Sequence, residues 1–450
     1  MTHRAYPVRP KCMSNSLRLQ PSWIIPIRPE NTVHLDFDLI ICDGVIVDLL
    51  PRQAANDRYG DVSAIDLTGE VVLPGLINCH GHAAMTLLRG YADDHSLMAW
   101  LEDHIWPVEA KLVSPSFVHA GAWLAAAESL SRGTTCCADS YFFPQATAQA
   151  MGMTGIRSQI TTPVIQFPNA WASTEEDHIA QSLVFFDWAA TQPRLTVGFA
   201  PHAAYSLSDQ GFKRIRQLAL ANDLPVHLHL HESNDEMIRH AALYQCRPID
   251  RMRRLEMFDT RLQTVHMTQL LDEEISWLKL TKTPVVHCPE SNMKLASGIC
   301  PIDQLRAEGV DVALGTDGAA SNNDLDLFQE MRTAALLAKV ATGAPEALSA
   351  EQALYMATMG GAQFLGLDHL IGSLEIGKQA DVISVRLSDI QTQPVYHPVS
   401  QLVYAVTGHN VTHTFVEGEL LYHSGDFNRF DVGELRSQVS QWQARIGALI

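Results

Sequence analysis

Eight short apolar runs recur between residues 71 and 314, with helical text between them. They are Val71 to Ile77, Thr134 to Asp139, Ile156 to Val164, Leu195 to Ala200, Pro225 to His231, Thr264 to Met267, Pro284 to His287 and Asp311 to Leu314. Apolar strands that alternate with helices are the pattern of parallel β/α units, because a parallel neighbour needs a long crossover and a helix supplies it. Eight such units predict an α/β fold closed into a (β/α)8 TIM barrel. Several helices carry legible ends. Ser114 can cap one that has Pro115 in its first turn and Gly133 just past its end, and Ser208 can cap another carrying Phe212, Ile215 and Leu218.

The two ends of the chain read differently. Trp23-Ile24-Ile25, Asp38-Leu39-Ile40-Ile41 and Val45-Ile46-Val47 are strand-like, and Asp43-Gly44 between two of these runs is a hairpin signal. The same texture returns in Ala380-Asp381-Val382-Ile383-Ser384-Val385 and Thr414-Phe415-Val416-Glu417-Gly418, so the two ends can pair into one small sheet domain. The expected organisation is a flexible tail over 1–19, a β-sandwich built from 20–73 and 372–450 with a C-terminal helix, and the barrel over 74–371.

With 450 residues, 46% of them hydrophobic, there is ample apolar material for a core. A net charge of -18 argues against general binding to nucleic acid or to anionic membranes, both of which demand a basic surface. The eight cysteines form no Cys-x-x-Cys pair, no apolar stretch is long enough to cross a bilayer, and the first twenty residues lack the apolar core of a secretory signal. A cytoplasmic location is expected.

In a barrel of this kind, chemistry gathers where the strands end. His80 and His82 end the first run, His202 the fourth, His229 to Glu232 the fifth, His266 the sixth and His287 the seventh, and Asp317 follows the eighth. Residues two apart on a strand share a face, so His80 and His82 can grip one cation. On the fifth run, leucines alternate with His227, His229 and His231. His229 is the expected ligand because it stands three before Glu232, a carboxylate that can take the proton of a metal-activated water without itself being a ligand. His227 and His231 are expected to fill the barrel layer or bond locally. Asp317, in Gly315-Thr316-Asp317-Gly318, is the expected fourth ligand rather than a turn residue, and His266 would stabilise charge at the reacting oxygen. No lysine occurs between Lys111 and Lys213, so the third and fourth strands cannot supply a carboxylated lysine to bridge two metals; a single-metal site is expected.

These residues resemble the amidohydrolase superfamily, and within it the 5-methylthioadenosine/S-adenosylhomocysteine deaminases and their triazine-hydrolase relatives. The matching text is PGLINCHGHAAM at 74–85, IWPVEAKL at 105–112, APHAAYSLS at 200–208, HLHE at 229–232, VHMT at 265–268, HCPESNMKLASG at 287–298, GTDGAASNNDLDLF at 315–328 and GSLEIGKQADVISV at 372–385. The family's first motif more often carries Thr where Gly81 stands, at a position that is not a ligand. The resemblance implies one zinc ion per chain, or another divalent metal, on His80, His82, His229 and Asp317. It also implies Glu232 as proton shuttle and His266 as the residue orienting hydroxide. Glu109 would contact the ribose hydroxyls, and His202 and Arg157 would line the substrate pocket. The implied reaction is hydrolytic deamination of 5′-methylthioadenosine or S-adenosylhomocysteine. Its rivals are deamination or dechlorination of another nitrogen heterocycle, such as guanine, an oxidised adenine, a pterin or a triazine, and a metal-binding barrel without catalysis. The expected partners are a small purine nucleoside and further copies of this chain, with no nucleic acid and no membrane.

Overall fold

Residues 16–449 are described by the structure, a computed structural model, and their strands form two sheets. One is the barrel. Its strands are Leu76–Asn78 (β1), Thr134–Ser140 (β2), Arg157–Val164 (β3), Leu195–Pro201 (β4), Pro225–Leu230 (β5), Arg261–His266 (β6), Val285–His287 (β7) and Val312–Leu314 (β8), each parallel to the next. The ring is closed between β1 and β8 by Cys79 N–H donating to Leu314 C=O at 3.0 Å and Asp317 N–H to His80 C=O at 3.0 Å. The Asn78 side chain adds two more ties, accepting from Thr316 N–H at 3.0 Å and donating to Thr316 Oγ1 at 2.8 Å. The apolar faces of β4 to β8 pack on their covering helices in the largest core, which includes Phe199, Val226, Leu228, Val285 and Leu314.

The helix ends follow their sequence signals. Ser114 Oγ accepts from Phe117 N–H at 3.3 Å to cap Pro115–Ser131, and Ser208 Oγ accepts from Gly211 N–H at 3.0 Å to cap Asp209–Asn222. Among the described residues, no helix is long and apolar enough to cross a membrane.

The second sheet has nine strands, drawn from residues 16–74 and 382–427. Its two contributions meet where Val382–Arg386 runs antiparallel to Ser63–Pro74, with Ile383 opposite Leu73 and Val385 opposite Val71. Asp43 and Gly44 make the hairpin between Phe37–Cys42 and Val45–Pro51, both at positive φ as a tight hairpin turn requires.

Three expectations change. The run Val71 to Ile77 is not one barrel strand: Val71 to Pro74 close the long strand Ser63–Pro74 of the second sheet, and only Leu76–Asn78 enters the barrel. Pro74 has no N–H for a ladder, and at Gly75 a Cβ would lie 2.1 Å from Thr135 Oγ1, so the chain changes sheets there. The tail expected over 1–19 lies outside the described residues as far as residue 15, but Ser16–Ile24 is already a strand. Leu19 is fully buried in it and the Arg18 guanidinium is buried on Asp38, so this arginine belongs to the fold.

Arg157 does not line the pocket. It is the first residue of β3, at the end of the barrel opposite the strand ends that carry the histidines, and its guanidinium spans Asp381 (3.0 and 3.1 Å) and Gln379 (2.6 Å), just before the strand Val382–Arg386 of the second sheet. Both partners of the ion pair are buried. Arg157→Met should therefore cost stability, about 3–5 kcal/mol because Asp381 is left charged and unpaired, while the folded fraction keeps its specific activity. Urea denaturation with parallel rate measurements checks this; a loss of turnover at unchanged stability would contradict it.

Candidate metal and active site

The C-terminal ends of the barrel strands carry unusual backbone. His231, His266 and Asp317 have φ of 56°, 75° and 62°, a left-handed conformation that non-glycine residues adopt at a cost of about 1–3 kcal/mol each and that clusters at functional sites. At His266 and Asp317 it lets the chain leave the strand sharply while the side chain faces the cavity at the strand ends.

Three imidazoles converge at those strand ends. His82 Nδ1 donates to Ser140 C=O at 2.7 Å, and His229 Nδ1 donates to His202 C=O at 2.7 Å. A carbonyl only accepts, so both rings carry a proton on Nδ1, and Nε2 is the nitrogen turned inward. At His80, Nδ1 lies 2.8 Å from His227 Nε2, and the same tautomer follows if His80 donates. Burial drives the His80 pKa down to about 4 and that of His229 well below its ordinary value, so both are neutral near pH 7. Their Nε2 atoms are 3.2 Å apart. Two nitrogen lone pairs that close repel unless a cation lies between them.

Asp317 completes the set. Its Oδ1 is 3.3 Å from His80 Nε2 and 3.4 Å from His82 Nε2, while Oδ2 accepts from Ser291 Oγ at 2.6 Å and Ser321 Oγ at 3.2 Å. Burial alone would push its pKa up, but the contact with His80 and the neighbouring imidazoles His82 and His266 hold the carboxyl well below its usual range. Four donors about 2.0–2.1 Å from a zinc ion at tetrahedral angles would lie about 3.3–3.4 Å apart. The spacings of 3.2, 3.3 and 3.4 Å fit one such ion, held by His80, His82, His229 and Asp317. His266 is close enough to join His80 and Asp317 in a second grouping of ligand-type atoms.

Glu232 stands beside this cluster. Burial, reinforced by the charge of Asp317, raises its pKa to about 8, and Oε2 is 3.8 Å from His266 Nε2. His266 is oriented by Asn292, whose Oδ1 lies 2.9 Å from Nδ1. The Glu232 backbone is pinned on both sides: its N–H donates to Glu236 at 2.6 Å and its C=O accepts from Thr268 Oγ1 at 2.7 Å.

A cavity of about 660 Å³ opens above these groups and is lined by His82, Glu109, His202, Glu232, His266 and Asp317 among others. Glu109, on the helix Trp106–Leu112, accepts a hydrogen bond from the Tyr141 hydroxyl, and burial raises its pKa to about 7. His202 both faces the cavity and supplies the carbonyl that holds His229; burial lowers its pKa to about 4. His287 does not line the cavity and is buried in the barrel layer. His231 Nε2 accepts from Ile249 N–H at 3.1 Å, a local bond.

The supporting residues were not assigned from sequence. His227 was expected only as filler or in a local bond, yet it holds His80. Ser291 and Asn292 lie inside the quoted HCPESN text, and Tyr141 directly follows the end of β2, so position at a strand end was the available signal.

Residues 71–421 match the Amidohydrolase family. The chain is 44% identical over 430 residues to a 5-methylthioadenosine/S-adenosylhomocysteine deaminase of Teredinibacter turnerae, covering 96% of this chain and 97% of that one. A deaminase of the same name from Saccharophagus degradans is 43% identical over 426 residues, covering 95% and 96%. Among solved structures, an adenosine deaminase from Xanthomonas campestris with bound zinc superposes with a TM-score of 0.93 at 43% identity, over 96% of this chain and 98% of that one. An atrazine chlorohydrolase from Arthrobacter aurescens complexed with zinc has a TM-score of 0.87 at 23% identity, over 95% and 100%, and shares the fold. A family match over residues 71–421 and relatives more than 40% identical over nearly the full chain leave one conclusion: the chain belongs to the amidohydrolase family.

Proposed function

We propose that this protein is a zinc-dependent hydrolytic deaminase of adenine nucleosides, acting on 5′-methylthioadenosine, S-adenosylhomocysteine or both. The observation that carries the reading is Glu232, a half-buried carboxyl with a raised pKa that stands beside the four candidate metal-ligating side chains and outside their set. A structural zinc has no use for such a group, whereas a hydrolase needs one. The names of the full-length relatives support adenine nucleosides as the substrate class.

A divalent ion in this site supplies Lewis acidity, which brings the ionisation of a water toward neutral pH. Glu232 accepts that water's proton and delivers it to the ring nitrogen next to the amino-bearing carbon. The water oxygen bonds to that carbon, its remaining proton passes to the amino group, the carbon–nitrogen bond breaks, and ammonia leaves with an inosine-type product. A pKa raised toward neutrality suits a group that must both take and return a proton. His266, held at Nδ1 by Asn292, turns Nε2 toward Glu232, and a proton on that nitrogen is what would let the ring donate to the attacking oxygen as negative charge develops there. Glu109, steadied by Tyr141 on the cavity wall, is placed to accept hydrogen bonds from ribose hydroxyls. Assembly into a homo-oligomer belongs to the same reading, and light scattering of the purified protein tests it.

Elemental analysis of washed protein should give about one divalent ion per chain, with metal and activity lost together in His229→Ala. Two ions per chain, or full activity without any, would contradict the single site. Glu232→Gln keeps shape but cannot shuttle a proton; it should retain the ion and lose most turnover, and a near-native rate would move the role to Asp235 or Glu236. Glu109→Ala should lower the specificity constant for methylthioadenosine by roughly tenfold to a hundredfold, the loss of a charge-assisted hydrogen bond worth about 1.5–3 kcal/mol. Adenine, which has no ribose, should be little affected; an equal loss on both would show that Glu109 does not read the sugar.

A further inference from the structure

Beside Glu232 lies a further carboxyl that the chemistry above does not use. Glu236 borders the cavity and is only 4% exposed, so it is buried more deeply than Glu232 itself. It stands in the first turn of the helix Asn234–Tyr244, where an acid is favourable in contact with solvent, as its exposed neighbour Asp235 is. Burying a carboxyl there costs stability unless the group is used.

The helix does not need it as a cap. Ser233 already fills that place, its Oγ accepting from Glu236 N–H at 3.3 Å. In the usual capping box, a glutamate at the third helical position reaches back to the N–H of the cap residue. Glu236 reaches one residue further, and its Oε2 accepts from Glu232 N–H at 2.6 Å.

The turn explains that reach. β5 ends at Leu230, and His231, with φ of 56°, takes the chain out of the barrel ladder two residues before the cap. Glu232 N–H therefore takes a side-chain oxygen in place of a strand carbonyl. On its other side, Glu232 C=O accepts from Thr268 Oγ1 at 2.7 Å. Both peptide groups that flank the Glu232 Cα are thus held by side chains, and the backbone rotation that would swing its carboxyl away from His266 is resisted from both ends. Glu236 Oε1 has no hydrogen-bond partner among the described residues, and burial raises the pKa of this carboxyl to about 8. A group largely uncharged near pH 7 serves through its acceptor oxygen, which an amide also offers.

We propose that Glu236 is a positioning residue for the deamination: by accepting from Glu232 N–H it fixes the turn that sets where the Glu232 carboxyl stands. This rests on the deaminase reading above and adds a residue to it.

Glu236→Gln, Glu236→Asp and Glu236→Ala are compared with the native enzyme for zinc content, thermal unfolding, and kcat and KM on 5′-methylthioadenosine, each assayed well below its own unfolding midpoint. Gln keeps an oxygen within reach of Glu232 N–H and should hold kcat within several-fold of native. Ala removes the acceptor and should lower kcat roughly tenfold to a hundredfold, with KM within several-fold of native and about one ion per chain still bound. Asp keeps an acid but falls one methylene short, so it should be slower than Gln; that order decides the matter even if the Ala variant does not fold. A native kcat in the Ala variant overturns the proposal. So does a Gln variant slower than Asp, which would assign the role to an acid and not to the hydrogen bond, and so does a loss that falls on KM or on zinc content instead of kcat. Native protein that releases no ammonia from methylthioadenosine, S-adenosylhomocysteine or adenosine overturns the deaminase reading itself, whereas an active native enzyme with unaffected variants removes this proposal alone.

Discussion

The site depends on how three imidazole rings are tethered. Ser140 and His202 carbonyls fix the protons of His82 and His229 on Nδ1, and His227 can do the same for His80, so Nε2 is the nitrogen each ring offers to a cation. Bringing those lone pairs together is unfavourable in the metal-free protein, and the barrel must hold them there against mutual repulsion. The reward is a site that binds a cation without rearranging its ligands, with the tautomer of each set by its outer partner.

Barrel closure supplies the rest of that rigidity. The residues that join β1 to β8, namely Asn78, Cys79, His80, Leu314, Thr316 and Asp317, include two of the four proposed ligands. The Asp317 carboxylate is therefore brought to His80 and His82 by the same hydrogen bonds that complete the ring, across more than two hundred residues of sequence. Ser291 and Ser321 occupy its second oxygen, while Oδ1, which accepts from Gly318 N–H at 2.7 Å, is the oxygen turned toward the imidazoles. At the other end of the barrel, Arg157 and Asp381 fasten the second sheet to the start of β3, away from the chemistry.

Much of this was legible in the sequence because period and position carry it. His80, His82, His229, Glu232, His266 and Asp317 all sit at or just past strand ends, and strand ends can be read from apolar runs and turn residues. Glu109 was legible only through its motif, since a lone glutamate on a short helix otherwise reads as solvated. Arg157 was misplaced although its position held the answer: it begins a strand, and a strand's first residue faces the end of a barrel away from the catalytic mouth. Val71 to Ile77 read as one strand because both halves are apolar, while the contact that forces the break, Gly75 against Thr135, is tertiary. The same holds for His227, whose partner depends on the neighbouring strand's register, and for Arg18, whose partner Asp38 lies on another strand.

X-ray absorption at the zinc edge of the metal-loaded protein tests the central claim most directly, because it reads the ligand shell without reference to turnover. Three imidazole nitrogens and one carboxylate oxygen predict a first shell of nitrogen and oxygen at about 2.0–2.1 Å, with the outer scattering typical of histidine rings. A metal–metal vector at about 3.5–4 Å would replace the single site with a binuclear one. Sulfur at about 2.3 Å would show that a buried cysteine, and not the tethered imidazoles, holds the ion.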